Sequence, residues 1–147
     1  MTTRLAFYKA PGTLTDRLIR WGSNSPYSHV EFVRPDGRGL SASIREGCVR
    51  VKEIDFTSGH WDVIEVPWQD AELAIDRIMQ HDGKAYDTWG VLACHVVSLA
   101  RSHPDKWFCS ELIAYGLGLP NPHLYSPGSL AATVQHLTTF SAAQRNT

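Results

Sequence analysis

Hydrophobic positions along the chain change period twice. Arg4 to Tyr8 reads as a short strand, and Leu14, Leu18, Ile19 and Trp21 then recur at roughly helical spacing, behind Thr13 or Thr15 as a cap and up to Gly22. Ser28 to Arg34 is rich in β-formers and runs into Arg34-Pro35-Asp36-Gly37-Arg38. In that segment Pro presets φ, Asp bonds the local backbone and Gly accepts a positive φ, which predicts a hairpin. Leu40 to Ile44 is its return strand, and Cys48 to Lys52 and Trp61 to Val66 continue a run of antiparallel strands.

From Asp70 the period returns to helical. Ala71, Ala74, Ile75 and Ile78 form one face before His81-Asp82-Gly83, and Thr88 to Arg101 reads as a second, largely buried helix. A third, amphipathic helix starts at Cys109, carries Leu112 and Ile113 on the cysteine's own face, fades at Gly116 and Gly118, and is stopped by Pro120. Ser126-Pro127 is a cap followed by proline at the first helical position, opening a helix to about Leu137, and the tail after Phe140 is expected to fray. Without repeats, low-complexity tracts or linkers, the pattern predicts one α+β domain over residues 1–140, sheet first and helices later.

Composition narrows the classes. At 147 residues the chain can bury a core without staples, and 14 basic against 15 acidic residues, net −1, with no basic block, argue against a nucleic-acid binder. Cys48, Cys94 and Cys109 are odd in number and have no paired spacing, which points to free thiols and a reducing compartment. The N-terminus has too short an apolar run for a signal peptide, and the longest apolar stretch, around Trp89 to Ala100, contains His95 and falls short of a bilayer span, so a cytoplasmic chain with no integral membrane segment is expected.

The candidate chemistry sits at Trp107-Phe-Cys-Ser-Glu-Leu-Ile113. Free N–H groups and the positive end of the dipole at a helix start stabilise a thiolate, so Cys109 suits nucleophilic work if a base is near. Of seven histidines, His29 is best placed, at the opening of the first strong strand within Pro26-Tyr27-Ser28-His29-Val30-Glu31. A cysteine at a helix start facing a strand histidine is the arrangement of thiol acyl transfer, in which imidazole takes the thiol proton and returns it to the leaving group. A third polar group should orient the ring; by alternation either Ser41 and Ser43 or their neighbours share its side. The plainer readings are Cys94 as core, Cys48 as a strand-edge residue, His60, His81, His123 and His136 as solvated, and Glu111 as a carboxylate favoured by the helix dipole. A zinc site from Cys94, His95, His103 and Cys109 lacks any supporting spacing.

Tyr-Ser-His-Val in an early strand, then Gly83-Lys84-Ala85-Tyr86-Asp87, then Phe-Cys-Ser-Glu-Leu on a late helix resembles the circularly permuted branch of the NlpC-type papain-like cysteine amidases, the YiiX-like group, whose wider superfamily includes the lecithin:retinol acyltransferase-like enzymes. The histidine precedes the cysteine by 80 residues (109 − 29), the permuted order, and the resemblance spans about residues 4 to 135. It implies a papain-like antiparallel sheet packed against helices, with Cys109 as nucleophile and His29 as base. Ser41, before Ala42, matches the family's third polar position; a serine orients an imidazole more weakly than a carboxylate, so either Glu31 compensates from the same face or the base is weaker. Oxyanion stabilisation would come from the backbone N–H of Cys109, with Tyr27 as the neighbouring candidate, and Trp107 would line the substrate cleft.

The expected activity is hydrolysis of an amide through an acyl-thioester on Cys109, with no metal or cofactor. The substrate is a peptide, a peptidoglycan stem or an acyl lipid. Two rival expectations stand beside it: a lipid acyltransferase or thioesterase using the same dyad, and a binding or structural module whose dyad is vestigial.

Overall fold

In the computed structural model, which describes residues 2–43, 46–86 and 106–145, the first strand is central to the pairing. This strand, β1 (Thr2–Tyr8), pairs antiparallel with β2 (His29–Val33) on one side and β5 (Trp61–Asp70) on the other. β3 (Gly39–Ser43) and β4 (Cys48–Lys52) extend the sheet beyond β2, and the two-residue strands β6 (Ala85–Tyr86) and β7 (Lys106–Trp107) follow, giving the order β5-β1-β2-β3-β4-β6-β7. The five long strands are antiparallel and β6 runs parallel to β7. The expected antiparallel run is therefore present, but β5 crosses back to the edge beside β1. That position accounts for its extra length past Val66, because Pro67, which cannot donate to a ladder, is tolerated on an edge strand.

Local chemistry sets the boundaries. Thr13 and Asp16 form a capping box on α1 (Leu14–Ser23), and Asn24, in the left-handed region at φ 46°, ends that helix just past the expected Gly22. The β2–β3 turn is as the sequence predicts: Gly37 N–H donates to Arg34 O, Gly37 takes φ +84°, and Asp36 Oδ1 accepts from Arg38 N–H. Asp70 caps α2 (Ala71–Met79) by accepting from the N–H groups of Glu72 and Leu73. The helix predicted over Thr88 to Arg101, with Asp87, Trp89, Cys94, His95 and His103, lies outside the described residues.

Strand alternation makes one sheet face apolar: the register pairs Leu5 with Phe32 and Phe7 with Val30, and all four are fully buried. Onto this face packs α3 (Cys109–Gly116), with α2 and α4 (Pro127–Arg145) beyond it. Contrary to the amphipathic expectation, every residue of α3 except Tyr115 is buried, because the helix is enclosed by β2 and β3 on one side and by α2, α4 and the Pro122–Leu124 turn on the other. Helix α4 also continues beyond the expected Leu137 and through the segment expected to fray: Thr138 donates to Glu65 O and accepts from Trp68 Nε1, tying the helix to β5.

Close approach of α2 and α3 depends on Gly116, where a Cβ would meet Ile78 carbons at 2.6 and 2.7 Å and Ala74 O at 3.3 Å. Ile78 is fully buried, so it can move only by repacking the core around it. Gly116→Ala is expected to destabilise the protein by about 1–3 kcal/mol, read as a lower urea midpoint with unchanged denaturant slope.

Candidate functional site

Alternation along β2 turns His29 and Glu31 to the same side, opposite Val30 and Phe32. The Glu31 side chain is entirely buried, and both its oxygens are occupied. Its Oε1 accepts from His29 Nε2 at 2.7 Å and from Arg50 Nη2 at 2.6 Å, while Oε2 accepts from Arg50 Nη1 at 2.8 Å. Arg50 reaches across from β4 and is held in turn by Glu46, whose Oε2 accepts from Nε at 3.2 Å. Burial alone would raise the Glu31 carboxyl, but the hydrogen bonds and charges of His29 and Arg50 outweigh it and hold the group below its ordinary range. The segment after β4 closes over this ion pair, with Gly39 making room for it: a Cβ there would stand 2.8 Å from Glu31 Oε2, 2.8 Å from Ile54 Cδ1 and 3.2 Å from Phe56 Cζ.

Cys109 is the first residue of α3, 2% exposed, following Phe108, which occupies the cap position without a side-chain cap bond. The first intrahelical bond runs from Leu112 N–H to Phe108 O, so the N–H of Cys109 belongs to the set that a helix leaves without an intrahelical partner. The Cys109 side chain acts on the His29 imidazole through charge and hydrogen bonding. With Nε2 engaged by Glu31, Nδ1 is the nitrogen left for the sulfur. Burial acts to lower the His29 pKa, yet charge and hydrogen bonding from Cys109, then from Glu31, raise it to about 10, so the ring carries its proton across neutral pH. It keeps a fifth of its surface exposed. A charged imidazole clamped between a buried carboxylate and a sulfur at a helix start can protonate a leaving group while the sulfur attacks a carbonyl.

The other sequence candidates lie elsewhere. Ser41 is fully buried and donates to Val30 O at 2.7 Å, so its hydroxyl stitches β3 to β2 and the partner of His29 is Glu31. The Tyr27 hydroxyl donates to Asp62 Oδ2 at 2.8 Å; burial and that carboxylate push its pKa to about 12, and the proton an oxyanion would need is already committed. Trp107 packs against His81 and Tyr115, at ring-centre distances of 4.4 and 5.2 Å, and does not line the cavity beside His29. Sequence reasoning placed Glu31 on the histidine's face only as a compensating group and missed Arg50. A carboxylate two residues after a strand histidine was the available signal for the first; the second depends on β3–β4 register.

The class these observations define is an α+β protein with an antiparallel sheet packed on one face by helices and a Cys-His-Glu cluster at the sheet–helix junction. No protein-family model matches the sequence, and no curated protein matches it. Four chains of known structure do match. Among them is the crystal structure of the metalloprotein YiiX from Escherichia coli O157:H7, DUF1105, with TM-score 0.57 and 16% identity over 84% of this chain and 77% of that one. The chain therefore shares a YiiX-like fold. A metal does not fit the cluster: both Glu31 oxygens are taken up by Arg50 and His29, and among the described residues no group of three or more His, Cys, Asp or Glu side chains is arranged to hold a metal ion. Among them, too, no helix is long and apolar enough to cross a membrane.

NMR titration of the His29 ring is expected to give a midpoint near about 10. Cys109→Ala removes the largest raising influence, so the same resonance should titrate at lower pH.

Proposed function

We propose that the chain is a cysteine hydrolase of the amidase or peptidase type, built as a permuted papain-like enzyme and acting through an acyl-thioester on Cys109. The observation that carries this reading is the His29 imidazole held between buried Glu31 and the thiol of Cys109. Attack of the sulfur on an amide carbonyl forms a tetrahedral oxyanion, which the N–H of Cys109 at the start of α3 is placed to stabilise. The imidazolium gives its proton to the departing nitrogen, leaving a thioester. Neutral imidazole then takes a proton from water as the water attacks, and the acid product and the thiol are released. Glu31 touches neither substrate nor sulfur; it orients the ring and stabilises its cation, with Arg50 keeping the carboxylate ionised. The cavity next to His29 has polar and charged groups in its lining, among them Ser28, Glu46 and Lys52, beside apolar ones, and those charges favour a peptide amide over an acyl lipid.

Rapid mixing with p-nitrophenyl acetate is expected to release a burst of about one nitrophenolate per protein, with a mass increase of one acetyl group at Cys109. Cys109→Ala should abolish the burst and His29→Ala should slow it on the order of 10²- to 10⁴-fold. A burst that survives in Cys109→Ala, or acetyl found on Cys48, would overturn the assignment.

A further inference from the structure

Helix α1 turns its apolar stripe away from the core. It is fastened to the fold by Ile19, 5% exposed, and by Arg20, whose guanidinium donates to the carbonyls of Lys9, Ala10 and Pro11. On the other side Leu14, Leu18 and Trp21 recur at i, i+4 and i+7, within an arc of about 60° on a helix of 3.6 residues per turn. These three residues are 72%, 41% and 75% exposed. A surface helix ordinarily buries such a stripe and shows water its polar face.

The charges of α1 are sorted in the same sense. Asp16, its one carboxylate, is turned back to the helix start, where Oδ2 accepts from Thr13 N–H at 2.6 Å and from Thr13 Oγ1 at 2.8 Å. Arg20 is spent on backbone carbonyls. Arg17, three residues after Leu14 and four before Trp21, borders the stripe; it is exposed and makes no side-chain hydrogen bond or ion pair among the described residues. The outer face thus combines large apolar groups, a tryptophan among them, with an uncommitted cation and no carboxylate. A capping box at one end and left-handed Asn24 at the other fix the helix, so this face needs no folding on contact.

Leu14 and Trp21 keep about three quarters of their surface, so they project from the protein instead of lining a groove. A protein interface of standard size draws roughly 20–30 residues from each side. Three projecting side chains on a helix about 15 Å long fall far short of that. A bilayer surface asks for less: leucines enter the acyl boundary singly, tryptophan settles at headgroup depth and arginine meets the phosphates. We infer that the Leu14–Leu18–Trp21 face of α1 docks the protein onto a lipid surface bearing anionic headgroups, the helix lying in the plane of the interface and Arg17 on a headgroup phosphate. Contact is peripheral and reversible, because one short amphipathic helix does not approach the hold of a spanning helix. Docking involves neither Cys109 nor His29 and is measured without turnover.

The whole chain is mixed with vesicles of phosphatidylcholine and phosphatidylglycerol, or of phosphatidylcholine alone, and co-sedimentation is followed as lipid is raised. Saturable binding to the anionic vesicles is expected, with quenching of tryptophan emission by brominated acyl chains that is lost in Trp21→Ala. Leu18→Glu and Trp21→Ala should each weaken binding at least about tenfold. Arg17→Gln should weaken it about fivefold on anionic vesicles and leave binding to phosphatidylcholine alone as in the parent. All three positions are exposed, so the variants should keep the parent's thermal midpoint. Failure of the parent to bind either vesicle, or equal binding by the parent, Leu18→Glu and Trp21→Ala, would overturn the proposal. A dimer of the parent that Trp21→Ala returns to monomer would overturn it too, by making a second copy of the chain the occupant of this face.

Discussion

A carboxylate with no solvent exposure in the middle of a sheet is the constraint on which the rest of this site depends. Glu31 is tolerated there because three charge-assisted hydrogen bonds, two from Arg50 and one from His29, replace its hydration. Leaving such a charge unpaired would cost several kcal/mol, so the positions of Arg50 and His29 are coupled to folding. The same pairing suits the proposed reaction, because an imidazole donating through Nε2 to a buried carboxylate has its orientation and charge set by the protein.

Each neighbouring feature follows from that buried pair. Gly39 is small where Ile54 and Phe56 must lie close over the carboxylate, and Ser41 bonds the Val30 carbonyl, fastening β3 against the strand that carries the pair. Glu46 accepts from the Nε–H of Arg50 and holds the guanidinium against Glu31. On the opposite face, Leu5, Phe7, Val30 and Phe32 form the bed on which α3 rests, and this enclosed helix presents Cys109 to the imidazole. Hydrophobic burial on one face and an ion-pair network on the other thus meet at the junction of β2 and α3.

Local patterns were readable from the sequence wherever a residue acts on its own neighbourhood. The Pro-Asp-Gly turn, the Thr13 and Ser126 caps, the return to helix after Asp70, the helix start at Cys109 and the strand opening at His29 all recur in the structure. Readings that needed long-range pairing did worse. Ser41 suited the third position by family pattern, but its short side chain is spent on a backbone carbonyl, whereas Glu31 is long enough to reach Nε2 from two residues along the strand. Tyr27 is diverted by Asp62, 35 residues away, and Trp107 by His81 and Tyr115. The return of β5 to the β1 edge and the length of α4 are likewise decided by contacts that neither periodicity nor propensity encodes.

The proposed reaction rests on one claim, that Glu31 holds the imidazole that would activate Cys109. Stopped-flow acylation by an activated ester, compared between Glu31→Gln and Ser41→Ala, tests it most directly. The account predicts that Glu31→Gln slows acylation on the order of 10²-fold and that Ser41→Ala, once shown to be folded, stays near the parent rate. The opposite ranking, with Ser41→Ala impaired and Glu31→Gln unaffected, would contradict it.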